Sequence, residues 1–585
     1  MHRSASSACR GGPMKVEREL SLRAVLTGLV LGIVLTPSNV YAGLKIGWSF
    51  NMSIIALLVG FGFWQGLLVR NRHWPAWTLH ESNINQTVAS AAASIISGGL
   101  VAPIPAYTLL TGEQLDAVPM MAWVFSVSFL GIWIAWYLRP SLITDGNLKF
   151  PEGMATLETM THIYTHGQEA MRRLWVLFGT AVFSGLVKAV DTFYWTFPRW
   201  SPTAHLERLT FTFDPSLLLV GFGGIIGLRV GLTLLLGAAL AWGGIAPWLL
   251  AHGLVELAPG SEGPQFATLV EWLVWPGVTI MVTSTLSSLA LRVLQVRTLG
   301  KSRSAETSTV WQRPKPGPLA GLASAIGLII VLQAALFGID WFMALLTIPL
   351  ALCLAAVAAR VVGATGIPPI GAIGQLSQLS FGIVAPGQVP INLMSANTAG
   401  GAAGQCTDLM NDFKVGHAIG ATPTKQVIAQ CLGIAIGSVV GVLVYQTLIP
   451  DPQTMLLTQE WPAPAVATWK AVAQTLTSGL DSLSASIQWA MLIAAAAGVA
   501  LGVLDACAKD RLARYLPSAA ALGLAFILPA SISLMMALGA ILTWAAGLRW
   551  RRLTERFAIA AAAGLIAGES ITGIGASLWQ LLHNL

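Results

Sequence analysis

Ionisable and amide side chains interrupt otherwise apolar stretches of this chain at five places. Such groups are costly at membrane depth unless they face protein partners or a water-filled path. The densest place runs from Asn392 to Gln426 and carries Asn392, Asn397, Gln405, Asp408, Asp412, Lys414 and His417. Asp408 and Asp412 are four residues apart, which puts both carboxylates on one face of a helix. There they can take up and release protons while the amides bond a peptide backbone; a cytoplasmic amphipathic hairpin is the plainer alternative. The run Glu81-Ser82-Asn83-Ile84-Asn85-Gln86-Thr87 opens an Ala/Ser-rich helix. Asn83, Asn85 and Gln86 can bridge to a neighbour or a solute, and Glu81 is either a coupling carboxylate or a helix-start charge. In the segment 36–45, Pro37 and Gly43 break a helix, Asn39 and Tyr41 offer contacts to a solute, and Lys45 pairs with a carboxylate or snorkels to the interface. The segment DGNLKFPEGMATLE at 145–158 supplies Lys149 and Glu152, or is simply a capped cytoplasmic helix. Glu569 is a lone carboxylate in an apolar helix, suited to proton exchange or to a structural hydrogen bond.

From these residues we expect a substrate site built from Asn39, Tyr41, Lys45, Asn83, Asn85, Gln86, Lys149, Asn392, Asn397, Gln405 and Lys414. Proton coupling falls to one among Glu81, Glu152, Asp408, Asp412 and Glu569. No catalytic constellation, metal site or cofactor is expected. The nine histidines show no metal-ligand spacing, and neither HExxH nor a P-loop is present. An aspartyl protease needs two carboxylates meeting across segments, which a pair one turn apart on one helix does not offer.

The elements that position these groups follow from composition. The chain has 585 residues, 55% hydrophobic and only 10% charged, with a mean hydropathy of +0.69. Soluble domains carry about 25% charged residues. An ordinary cytosolic enzyme, a secreted disulfide scaffold and a disordered chain are therefore excluded, and an all-α polytopic membrane protein remains. A span needs about 20 largely apolar residues. Candidates lie near 22–43, 47–69, 83–103, 117–138, 174–191, 216–231, 232–251, 268–291, 318–338, 341–362, 370–386, 392–410, 426–449, 487–506, 516–531, 532–548 and 557–581. Several are short or Gly/Pro-broken, so we expect about 16 helices, between 14 and 17.

The net charge of +7 comes from Lys and Arg in short loops, among them Arg70, Arg72, Arg139, Arg172, Arg173 and the 292–317 stretch. Alternate loops carry Glu113, Asp116, Glu256 and Glu262. The positive-inside rule then places the N-terminus in the cytoplasm and the protein in the cytoplasmic (inner) membrane. No basic, aromatic-laced surface suits a nucleic acid. Residues 1–20 read as a cytoplasmic tail, with Met14 an alternative start; 21–291 and 318–585 read as two transmembrane halves joined by the basic 292–317 loop. Cys353, Cys406, Cys431 and Cys507 read as small buried residues rather than disulfides.

The halves are related. Pro215-Ser216 to Trp242 aligns with Pro517-Ser518 to Trp544 at a constant offset, matching Leu236, Gly237, Ala238, Leu240 and Trp242 to Leu538, Gly539, Ala540, Leu542 and Trp544. Glu81–Ser94 pairs more weakly with Ala364–Ser377. Internal repeats of this kind mark many secondary transporters, with the substrate where the repeats meet. The register alone leaves parallel and inverted repeats open. Gly28/Gly32 and Gly437/Gly441 are small-xxx-small pairs that serve helix contacts within one chain or in a homodimer.

The run DLMNDFKVGHAIGATPTKQ at 408–426, with NVYAGLKIGW at 39–48, LKFPEG at 148–153, TGIPPIGAIGQ at 365–375 and the late Gly568-Glu569-Ser570, resembles the oligopeptide transporter family, including its yellow-stripe-like metal-chelate branch. The likeness spans roughly 20–580. It implies about sixteen helices and import of peptides or metal chelates, usually coupled to protons. Ala364 stands where relatives often carry a Glu, so a coupling role there would pass to Glu81 or Glu569. An intramembrane enzyme and a channel are the competing readings.

Overall fold

The computed structural model describes residues 19–47, 51–70, 75–144, 148–165, 167–255, 265–301, 316–366, 370–507 and 515–583. The tail 1–18 with Cys9, and the orienting residues Arg72, His73, Glu256 and Glu262, lie outside them. Among the described residues the only strand pairing is a bridge between Trp200 and Phe213; the rest of the regular structure is helical.

The first group of helices is α1 (Leu22–Ile46), α2 (Ser53–Arg70), α3 (Leu79–Ala93), α4 (Pro103–Thr111), α5 (Ala117–Arg139), α6 (Pro151–Thr165) and α7 (Gly167–Phe193). Then come α8 (Leu217–Leu240), α9 (Phe266–Lys301), α10 (Pro316–Phe337), α11 (Trp341–Thr365), α12 (Ile370–Val384), α13 (Ala396–Ile419) and α14 (Pro423–Leu448). The chain ends with α15 (Pro464–Ser478), α16 (Ala485–Cys507), α17 (Ala519–Ile527), α18 (Ala530–Arg549) and α19 (Arg551–His583). Among the described residues, thirteen stretches are long and apolar enough to cross a membrane. The shortfall from sixteen has simple causes: α12 and α17 are too short, and α13 is too polar.

Several expected segments take another form. The expected span 83–103 is broken: α3 stops at Ala93, a 3-10 turn covers Ser94–Gly98, Gly99 adopts φ 119°, and α4 restarts at Pro103. The basic loop expected from 292 begins as helix, because α9 runs on to Lys301; residues 302–315 lie outside the described residues. Cys406 is buried as expected and Cys431 half-buried, but Cys353 and Cys507 are exposed on α11 and α16, where helix faces carry small apolar residues outward.

The 216–251 region is a single helical stretch folded at Gly227, whose φ of 80° and ψ of 170° only glycine adopts readily. A Cβ on Gly223 would lie 2.0 Å from the Met536 carbonyl oxygen, and one on Gly231 would lie 3.7 Å from the same atom. Eight residues of straight helix would put those positions about 12 Å apart, so the chain doubles back. The other half does the same where α17 ends and Leu528-Pro529 leads into α18, at the repeat-equivalent position.

The contacts between these hairpins interchange. Gly539 packs on the Val220 carbonyl, and its equivalent Gly237 packs on the carbonyl of Leu522, the equivalent of Val220. A contact that maps onto itself when the partners are exchanged is the mark of a two-fold axis. Val220 to Gly224 runs in the same sense as Gly539 to Thr543. After the turn at Gly227 the second arm of α8 therefore opposes α18, its own repeat partner, and the repeat is inverted. Flanking helices show the same exchange where Gly185 of α7 meets the Gly568 carbonyl of α19 as Gly502 of α16 meets the Ser284 carbonyl of α9. In α19 against α7, Gly564 and Gly568 meet the Leu177 and Ala181 carbonyls; in α16 against α9, Gly498 and Gly502 meet those of Ile280 and Ser284. Both glycine pairs are GxxxG motifs that let backbones touch.

The remaining helices, α1–α6 and α10–α15, form a second region centred on α13, most of whose residues are buried. Gly28 and Gly32 rest on Val88 and Ala92 of α3, and Gly437 on Ala92 from α14, so both expected glycine pairs are used inside one chain.

Candidate functional site

Glycine and proline breaks leave a cavity of ≈ 710 Å³ between the two regions. That volume lies within the range of about 300–1,000 Å³ typical of small-molecule sites. The α13 region contributes the broken end of α3 (Ser94, Ser97), Glu152 of α6, Gln375 of α12, and Asn397 and Asp408 of α13. The hairpin region contributes Arg229 of α8, Ser284 to Leu289 of α9, Asp505 of α16 and Ser518 to Ala520 at the start of α17.

The acidic wall is built by α13. Asp408 faces the cavity with the Ser94 side chain as hydrogen-bond partner. Glu152 also lines it and accepts from Asn411 Nδ2 at 3.0 Å. Pro151 opens α6 and positions Glu152 in its first turn, where a helix favours negative charge. Burial pushes the Glu152 carboxyl above the usual carboxylate range, against lowering hydrogen bonds from Asn51 and Asn411. One turn along α13, Asp412 is buried away from the cavity and accepts from Gln86 Nε2 of α3 at 3.0 Å. The helical spacing of the two aspartates is as expected; only the first reaches open space.

The amides divide. Asn397 lines the cavity and donates to the Gly98 carbonyl at 2.9 Å, holding the α3 break open. Asn39 donates to the Ala93 carbonyl at 3.0 Å on the same break, and Asn85 to the Ala56 carbonyl at 3.0 Å. Asn392 and Gln378 bond each other. Asn83 accepts weakly from Gln86, leaving its own NH₂ unpaired, and both polar atoms of fully buried Gln405 are unpaired. Lys149 is exposed and Lys414 half-buried; neither lines the cavity. Tyr41, Lys45 and Trp461 form a separate cage, with the Lys45 ammonium 4.7 Å from the Trp461 ring centroid and bonded to the Glu460 carbonyl.

The two remaining carboxylates close helix ends. Glu81 forms a capping box with Thr78 and an ion pair with Arg23, whose guanidinium lies over Trp64 and Trp77. Glu569 seats on the N-terminus of α8: Ser216 Oγ donates to Oε1 at 2.7 Å and the Leu218 amide to Oε2 at 2.7 Å. Neither lines the cavity.

Arg229 and Asp505 were not among the expected site residues. Arg229 Nη2 bonds Asp505 Oδ1 at 2.8 Å, and Nε bonds the Leu516 carbonyl at 2.7 Å. The signal was legible: Arg229 is the single charge in the run LLLVGFGGIIGLRVGLTLLL. Gln375 lines the cavity and keeps a buried Oε1 with no protein partner.

Broken helices, an inverted repeat and an ion-lined cavity where the two regions meet define a membrane transporter. The family profile described as OPT oligopeptide transporter protein matches residues 19–580, so the chain belongs to that family. It is 23% identical to the Arabidopsis thaliana protein named "Probable metal-nicotianamine transporter YSL8", over 96% of this chain and 86% of that protein. It is 24% identical to Metal-nicotianamine transporter YSL2 of the same plant, over 97% and 94%. It is 22% identical, over 95% of both chains, to YGL114W of Saccharomyces cerevisiae, whose name assigns it provisionally to oligopeptide transport. The family and these names are those of transporters, not enzymes.

Proposed function

We propose that this chain is a secondary active importer of oligopeptides or peptide-like small molecules across the cytoplasmic membrane, coupled to protons, with its N-terminus inside. The α13 region and the hairpin region, each built from both halves 21–291 and 318–585, alternate access about the cavity between them. The observation that carries the reading is the charge layout of that cavity, with Glu152 and Asp408 on one region's wall and Arg229 with Asp505 on the other's. A zwitterion fits such a layout, ammonium toward the acids and carboxylate toward the arginine. Glu152 and Asp408 are the coupling carboxylates, Asp412 relays through Gln86, and Asn397, Gln375 and Ser97 offer backbone contacts. The geometry favours Glu81 and Glu569 as helix-end closures.

Transport of metal chelates is a second reading, favoured by the relatives named for metal-nicotianamine transport. Proteoliposomes with an acidic exterior should accumulate labelled trialanine or iron–nicotianamine above equilibrium, and a protonophore should abolish the accumulation. Accumulation indifferent to the protonophore overturns the coupling; accumulation of neither probe overturns the substrate reading.

A further inference from the structure

The inverted repeat lets one half serve as a template for the other. In the first half, a carboxylate sits on a Pro-Ser helix start: Glu569 of α19 takes bonds from Ser216 Oγ and the Leu218 amide. The equivalent start is Pro517-Ser518 of α17, where Ser518 caps the helix as Ser216 does. The equivalent of Leu218 is Ala520. Its amide is one of the first-turn donors that a helix cannot satisfy itself, and it has no hydrogen bond among the described residues.

The position of Glu569 also has an equivalent. A Cβ on Gly185 of α7 would lie 3.4 Å from the Gly568 carbonyl oxygen of α19, and one on Gly502 of α16 would lie 2.4 Å from the Ser284 carbonyl oxygen of α9, so Gly568 and Ser284 hold equivalent places. The residue after Gly568 is Glu569; the residue after Ser284 is Thr285, which lines the cavity beside Ser518 to Ala520. Where one helix start holds a protein carboxylate, its twin faces open space. Two further observations point to a ligand there. Arg229 lies at the same helix start, tied to the Leu516 carbonyl, with Nη1 carrying no hydrogen bond among the described residues. Gln375, only 4% exposed and among the residues that line the same cavity, keeps a buried Oε1 with no protein partner.

We propose that Ser518, the Ala520 amide and Arg229 form the seat for the substrate's carboxylate, held as Glu569 is held in the other half. The carboxylate takes the Ala520 N–H, the Ser518 hydroxyl and Arg229 Nη1, and Asp505 keeps the guanidinium in place until it arrives. This rests on the transport reading and specifies its chemistry: the solute carries a free carboxylate, from a peptide C-terminus or from an aminocarboxylate chelator.

The test is titration of the purified full chain with trialanine, its C-terminal amide and iron–nicotianamine. Wild type should bind at least one carboxylate probe, with the amide about tenfold weaker or worse. Arg229→Gln should lose about tenfold or more for the carboxylate probe and leave the amide unchanged. Thr285→Glu supplies the missing internal carboxylate, so it should abolish carboxylate binding while raising Tm, a pair of effects that misfolding does not produce. Binding of trialanine places the carboxylate on a peptide, and binding of iron–nicotianamine alone places it on a chelator; Arg229 dependence in either supports the seat. Wild-type binding that ignores Arg229→Gln and Thr285→Glu overturns the seat alone. Wild-type binding of none of the probes overturns the seat and the transport reading together.

Discussion

The start of α8 and the start of α17 are the same structure used in two ways. Both open with Pro-Ser, both are capped by that serine, and both lie against a helix of a GxxxG-packed pair. Glu569 closes the first; Thr285 leaves the second facing the cavity beside Arg229. Duplication thus produced one helix end that serves stability and one that remains available to a solute. The same contrast separates Glu81 and Glu569, whose lone pairs are taken by protein donors, from Asp408 and Glu152, which face open space.

The comparison can be broken at its frame. Gly539→Val would drive a Cβ to 2.1 Å from the Val220 carbonyl oxygen, backbone that cannot yield. We expect a loss of about 3 kcal/mol or more, with Gly237→Val similar because its contact is the symmetric one. A thermal scan showing one tolerated and the other not would contradict the two-fold. Next in size, Glu569→Ala leaves the Leu218 amide unpaired, costing about 1–3 kcal/mol, whereas Thr285→Ala should change stability by under about 0.5 kcal/mol. Equal Tm losses would mean that the two helix starts are not used differently.

Glu152 gives a pH signature. Its carboxyl is raised by burial, so its stabilising contribution is full below the ordinary carboxylate range and is lost as pH rises through the folded-state value. Glu152→Gln, always neutral, should therefore gain Tm over wild type as pH rises, with the difference vanishing in acid. The smallest effect is at Glu19, which bonds the Thr422 amide and hydroxyl at the start of α14. Burial raises this carboxyl, but the Thr422 bonds and Lys425 outweigh it, so it sits below the usual range. Its contribution is present above the ordinary carboxylate range and is lost as pH falls through the folded-state value. Glu19→Gln should cost under about 1 kcal/mol at neutral pH.

Much of this was legible in the residues. Scarce charge exposed the membrane class, the run around Asp408 carried the family, and the Leu236–Trp242 match to Leu538–Trp544 disclosed the repeat. Its inversion was not legible, because direction appears only when Gly223 and Gly231 are seen to meet the same carbonyl. Glu569 looked like a coupling group because its donors, Ser216 and Leu218, lie some 350 residues away in sequence. The amides of α1, α3 and α13 looked like solute contacts, yet Asn39, Asn85 and Asn397 bond backbone carbonyls, two of them at the break after Ala93. The Ala520 donor had no signal at all, since an orphaned backbone amide has no side chain to announce it.

The most direct measurement is uptake of labelled trialanine, or of iron–nicotianamine, into acid-outside proteoliposomes by wild type and Arg229→Gln at matched protein content. The cavity account predicts accumulation by wild type and at least a tenfold slower rate for Arg229→Gln at low substrate, recovered toward wild type as substrate is raised. Equal rates at low substrate would contradict it.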